Sequence, residues 1–266
     1  PHIGTDILVQ IVAEAHRQIE ALGGEIRYNS TVTHITDRAV TVCGEEIPYS
    51  DLIIASGHSA RDLYADLLSA SFVIEPKPFS VGVRIEHLQT ELDRALYKEL
   101  AGDPALGKAT YQVSYRQGDR GVYSFCMCPG GEVVAAASEE DTVVTNGMSR
   151  YARDEKNANA ALCVSVHPAD YGSTPENAIV YQRELEKTAY RAGGGAYYAP
   201  CQLVGDFLQG KQGTEPRRIE PSYRGGKVHM ADFHTILPPY VHRLLAEGLA
   251  HFDRQIPGFA AADVPM

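Results

Sequence analysis

The chain has 266 residues, 44% of them hydrophobic and 22% charged, the composition of a soluble globule holding one large domain or two modest ones. A formal net charge of −10 leaves no basic surplus for binding phosphates, which argues against nucleic acid or an anionic membrane as partner. No apolar run approaches the length of a membrane span and no signal peptide is visible, so the five scattered cysteines suit reduced thiols in a cytoplasmic protein. Asn29-Ser30-Thr31 spells a glycosylation sequon, read here as incidental without a secretory signal. The start at Pro1 and the apolar, Ala-rich stretch before Met266 suggest a piece of a longer protein.

Thr5 or Asp6 can cap a first helix. Its apolar positions Ile7, Leu8, Ile11, Val12, Ala15, Ile19 and Leu22 keep helical spacing, and Gly23-Gly24 ends it. Short strands are predicted at 25–29, around Val32 and Ile35, and at 39–43, as a small antiparallel meander. The stretch from Asp51 to Tyr64 organises the rest. Leu52-Ile-Ile-Ala55 suits a strand buried on both faces, Ser56-Gly57 breaks it, and Ser59 can cap a helix over 60–68. A buried strand ending at a glycine before a helix is where α/β folds place ligands. The glycine admits close approach, and the helix N-terminus favours anions.

Glu75-Pro-Lys-Pro78 is a stiff two-proline connector, and the domain boundary is placed there, between 1–75 and 76–266. Beyond it, residues 79–85 alternate as a strand, and Leu88, Leu92, Leu96 and Leu100 mark a helix. Strands are expected at 110–115, 121–127, 132–137 and 160–166, a loop at Asn146-Gly147, and a helix over 179–192 closed by Gly193-Gly-Gly195. Segments 202–208 and 240–252 complete a mixed α+β layer.

Several motifs carry competing readings. Gly57-His-Ser-Ala-Arg61 approaches the Gly-x-Ser-x-Gly nucleophile elbow, with arginine where helix packing wants glycine; the alternatives are an esterase using Ser59 and a plain N-cap. Gly205 to Gln212 has P-loop spacing but lacks the Ser or Thr that ligates magnesium, so it reads as an element end followed by a turn. Ten histidines invite a metal site, yet His229, His234, His242 and His251 lack ligand spacing, and none is assigned. Cys126 and Cys128, two apart on a strand, face one side; they are a redox pair or packed, reduced thiols, and the strain of a disulfide between such neighbours favours the latter. Arg84 shares a strand face with Glu86, which allows a surface ion pair. The alternative is a clamp for a substrate carboxylate, because a guanidinium is a planar bidentate fork.

The first 70 residues resemble the FAD-binding domain of two-dinucleotide-binding flavoproteins of the glutathione-reductase type. There a helix, a strand and a meander lead to a buried strand ending like Ala55-Ser56-Gly57. Pro1-His-Ile-Gly-Thr-Asp6, Gly57 to Asp62, Pro78 to His87, Gly121 to Gly131, Asn146 to Asp154 and Gln202 to Leu208 are similar to one bacterial family of FAD-utilising dehydrogenases. The resemblance implies a partial Rossmann-like α/β domain followed by an inserted α+β domain that covers a flavin. It implies FAD contacts at Val32, Ala55, Ser56, Gly57 and His58, and a small-molecule substrate. Arg84, His87, Cys126 and Cys128 are the candidate catalytic groups, with the thiols read as cleft wall. The family's Gly-x-Gly-x-x-Gly turn and its C-terminal glycine-rich segment are not in this sequence. FAD is therefore expected in a longer parent that supplies the missing N- and C-terminal segments of the FAD domain. The 266-residue chain alone is expected to hold no FAD and to be inactive, or simply a folded module.

Overall fold

The structure is a computed structural model that describes residues 3–266. The chain divides into two compact units: residues 9–77 with 168–181, and residues up to Leu8 with 78–167 and 182–266.

Helix α1 (Thr5–Ala21), which belongs to the smaller unit from Val9 onward, keeps the predicted amphipathic spacing, but none of its residues is buried. Strands β1 (Val32–Ile35), β2 (Ala39–Val42) and β3 (Glu45–Pro48) form an antiparallel meander. The first turn is tied by Thr36, whose hydroxyl accepts from Ala39 N at 3.1 Å. Helix α2 (Arg61–Ser69) packs on β1, and Asp66 fixes the join: Oδ2 accepts from Ile35 N at 3.2 Å, and Oδ1 lies 3.0 Å from His34 Nδ1. The strand expected at 25–29 does not form.

Nor does the strand expected at Leu52–Ala55. The segment makes no ladder, and Ile53 is 89% exposed. An apolar run becomes a buried strand only where neighbours pair its N–H and C=O groups on both sides. The sheet of this unit, β1-β2-β3, does not include it. The Ser59 cap is corrected too. The residue preceding α2 is Ala60, no side chain caps the helix, and Ser59 contributes only its carbonyl, which accepts from Arg61 N at 2.9 Å.

The larger unit is built on β4 (Phe79–Leu88), α3 (Gln89–Tyr97), β5 (Ser114–Gln117), β6 (Arg120–Cys128), β7 (Gly131–Ala135), β8 (Thr145–Ser149) and β9 (Asn157–Val166). Four of the strands form an antiparallel sheet in the order β4-β9-β6-β5, and β7 pairs with β8 as a separate ribbon. Strand β5 starts later than the sequence suggests because side chains take the N–H groups of Ala109 and Val113. Asp93 Oδ1 accepts from Ala109 N at 2.8 Å, and Ser124 Oγ accepts from Val113 N at 2.9 Å.

Asn146-Gly147, expected as a loop, lies inside β8, with Gly147 opposite Val133. Beyond β9 come α4 (Pro168–Tyr171), α5 (Pro175–Ala192), β10 (Ala199–Cys201), α6 (Val204–Gln209), β11 (Val228–Met230) and α7 (Pro239–Gln255). The P-loop spacing proves to be α6 closed by a left-handed Gly210.

Alternation sends Val81, Val83, Ile85, Val122, Leu162 and Val164 to one face of the sheet. That face packs with α7, whose Val241, Leu244, Leu245, Leu249 and Phe252 are buried. Each such side chain contributes roughly 1.5–3 kcal/mol of burial. Gly248 lets α7 come close: a Cβ there would lie 2.4 Å from Val122 Cγ1. One side of the sheet is thus sealed, and Arg84 lies on the other.

Candidate functional site

Register assigns the second face row by row. Gly82, Cys163 and Tyr123 lie side by side across β4, β9 and β6; the next row is Arg84, Ala161 and Phe125, and the next is Glu86, Asn159 and Cys128. The two segments expected to share a sheet, 79–87 and 121–128, do so with β9 between them.

Arg84 is the centre of this face. It is only 8% exposed. Its Nε donates to Asn159 Oδ1 at 2.9 Å, and Nη2 donates to Cys126 O at 2.8 Å, with Cys128 Sγ 3.9 Å away. Among the described residues Arg84 has no carboxylate partner, and Nη1 has no protein acceptor yet is not sealed from solvent. A buried cation held only by neutral acceptors keeps an unpaid electrostatic debt, which an anion can cancel. Beside it, Asn159 is fully buried, and its Nδ2 has no acceptor.

The expected Arg84–Glu86 surface pair is not formed. Glu86 is buried and committed elsewhere: Oε2 accepts from Ser222 Oγ at 2.6 Å and Asn157 Nδ2 at 2.9 Å, while Oε1 accepts from Ser222 N at 2.9 Å. Burial pushes its carboxyl above the usual carboxylate value, against the opposing pull of these bonds and of Arg84.

Gly147 explains how the guanidinium fits. A Cβ there would lie 2.2 Å from Arg84 Nη2 and 2.3 Å from Asn159 Oδ1. A glycine inside a strand marks such a close approach. The Asn-Gly pair concealed this by looking like a turn.

The simple alternation expected for 121–128 is broken by a bulge between Phe125 and Cys128. Cys126 sits on it with φ +48° and is exposed. The extra residue turns Cys128 onto Arg84's face with Tyr123 and Phe125, while Met127 packs toward the main core. The two thiols therefore do not stand side by side as the unbulged strand implied. Both are free, and burial raises the Cys128 thiol to about 11, so it is protonated at neutral pH and forms wall.

His87 is not brought to this site. It points into the sealed side, between Tyr111 and Phe259, and its Nε2 donates to Phe259 O at 2.8 Å. Burial lowers its pKa to about 4, so the ring is neutral. Among the described residues no group of three His, Cys, Asp or Glu side chains is arranged to hold a metal. Asn159, Gly147 and Ala161 were missed from sequence; only the pairing register reveals them.

In the smaller unit, Val32, Ala55, Ser56, Gly57 and His58 are all exposed. Gly57 has φ +75° and nothing within 4 Å of a Cβ position, so a side chain there would be strained by the backbone rather than by any neighbour. Ser59 Oγ makes no hydrogen bond to a histidine or carboxylate among the described residues, which leaves the esterase reading without a base.

The larger unit is an α+β domain with a buried guanidinium, free of any ion pair among the described residues, on the second face of its sheet. Residues 78–266 match the family described as "FAD-dependent protein, C-terminal domain-like", and the chain belongs to that family. It is also 43% identical over 270 residues to an uncharacterised protein of Clostridium beijerinckii (strain ATCC 51743 / NCIMB 8052), a match covering 98% of this chain and 50% of that protein. The chain thus spans about half the length of the curated relative it matches. No helix among the described residues is long and apolar enough to cross a membrane.

Proposed function

We propose that this chain is the central part of an FAD-dependent oxidoreductase of the dehydrogenase type, in which the domain from residue 78 onward covers the flavin and holds the substrate. The observation that carries this reading is Arg84, a buried guanidinium with a free Nη1 and no ion-paired carboxylate among the described residues, in a domain from an FAD-dependent family. FAD, when bound, would take up or release the hydride equivalent. Arg84 binds the anionic group of the substrate and orients it, and Asn159 holds Arg84 in place through Nε. Cys126 and Cys128 are neighbours of the site rather than a redox couple. Val32, Ala55, Ser56, Gly57 and His58 are the contacts proposed for the nucleotide. Exposed apolar residues of α1 and Leu52 to Ile54 offer a surface on which further segments of an FAD domain would pack.

The test compares the 266-residue chain with a chain extended to the length of the Clostridium relative. The extended protein is expected to purify with a flavin absorption band and the 266-residue chain to be colourless. Gly57→Val in the extended protein should yield a folded apoprotein. An extended protein free of flavin sinks the reading, and full flavin occupancy in Gly57→Val removes Gly57 from the site.

A further inference from the structure

We infer that the open sheet face binds a planar conjugated carboxylate, an aromatic or α,β-unsaturated acid, laid over Ala161 with its carboxylate on Arg84. The inference rests on the reading of Arg84 as the substrate's anion ligand and goes on to name the class of substrate.

The shape comes from the register. On the central strand β9 the outward side chains are short, Ala161 and Cys163, and the neighbour of Cys163 on β4 is Gly82, which has none. Two longer side chains cross β9 here and bound the ground between them. Tyr123 reaches across β9 to Ser80, with the hydroxyls 2.9 Å apart. Arg84 leans the other way, toward Asn159 and Cys126. One repeat along a strand separates the two rows, roughly 7 Å. That matches a ring or a short conjugated chain and is too short for a long aliphatic one. Phe125, level with Ala161, is 64% exposed although it stands on a sheet face, and it offers an edge to a flat π-system.

The charge is equally specific. One guanidinium with one free nitrogen matches a single negative charge. A phosphate would ask for several converging donors, and the unpartnered buried donor beside Arg84, Asn159 Nδ2, is sealed from solvent. The acidic group nearest in the register, Glu86, is hydrogen-bonded by Ser222 and Asn157 and makes no ion pair with Arg84, although it feels the guanidinium's charge. The wall is neutral, since burial raises the Cys128 and Cys163 thiols.

Equilibrium dialysis of the 266-residue chain at neutral pH, with cinnamate as probe, tests this without any flavin. Cinnamate is expected to bind at least tenfold more tightly than cinnamamide, which lacks the charge, and than acetate, which lacks the plane. Ala161→Leu raises the floor and should abolish the difference. Phe125→Ala should weaken cinnamate several-fold. Both positions lie on the open face, so melting temperatures should hold, and Arg84→Met serves as a third variant, expected to lose cinnamate at least tenfold. Cinnamate no tighter than acetate or cinnamamide, or unaffected by Ala161→Leu, overturns the proposal. An extended protein that carries flavin while this chain ignores cinnamate removes only the planar acid. Cinnamate binding with no flavin in the extended protein removes only the oxidoreductase reading.

Discussion

Two apolar runs of similar composition have opposite fates. Leu162 to Val164 lies in β9, paired to β4 on one side and β6 on the other, and Leu162 is fully buried. Leu52 to Ile54 has no strand beside it, and Ile53 is 89% exposed. Composition alone does not separate them. What makes a strand of such a run is the presence of neighbours on both edges, and what buries it is a layer on each face. The larger unit supplies the paired edges and seals one face with α7, while the ribbon of β7 and β8 covers the other only in part, where Gly147 packs on Arg84 and Asn159; residues 52–54 have neither.

The largest expected effect tests that contrast directly. Leu162→Ala should cost about 2–5 kcal/mol, because it empties a site sealed between the sheet and α7. Ile53→Ala should stay within about 0.5 kcal/mol, as substitutions at exposed positions do. Urea denaturation of the two variants measures both. If Ile53→Ala costs as much as Leu162→Ala, the segment is buried in solution and the contrast fails. In a chain extended to the relative's length the two costs should converge, if further FAD-domain segments cover residues 52–54.

A second effect sharpens the difference between the two faces of the sheet. Arg84 and His87 are three residues apart on β4 and point to opposite sides, one open and charged, the other sealed and neutral. His87 has its pKa lowered from 6.5 to about 4 by burial. Between those pH values the unfolded chain takes up a proton that the folded chain refuses. The stability that His87 contributes is therefore present above about pH 6.5 and lost as pH falls toward 4, by roughly 3 kcal/mol at the acid end. His87→Phe should flatten this slope in denaturation curves recorded across the window. An unchanged slope would mean that the ring is not sealed.

Much of the larger unit was legible because its strands alternate cleanly, as in 79–85 and 160–166, where period two and a sealed face agree. The site was legible only in part. Arg84 stood out as a charge amid apolar neighbours, but its partners are Asn159, 75 residues away, and the Cys126 carbonyl, 42 away, and such pairings are set by register rather than local pattern. The bulge after Phe125 reversed the facing of Cys128, which no periodicity foretells. His87 drew notice from its motif, although its own alternation with Ile85 already placed it on the core side. The same limit misled the reading of 52–55, where the pattern was right for a strand whose partners it could not show.

The smallest expected effect concerns Ser59. As an N-cap it would have been worth about 0.5–2 kcal/mol. The structure gives that position to Ala60 and leaves the Ser59 hydroxyl out of the helix's N–H groups. Ser59→Ala should therefore change stability by less than about 0.5 kcal/mol, the range for substitutions that remove no named interaction. Thermal denaturation reads this, and a loss above about 1 kcal/mol would restore the cap. The same variant settles the hydrolase alternative. A general base would have to stand within hydrogen-bond reach of Oγ, and neither a histidine nor a carboxylate bonds to it among the described residues. A small-ester screen is expected to be blank before and after the substitution. Ester turnover that vanishes in Ser59→Ala would move the chemistry from the Arg84 face to the smaller unit.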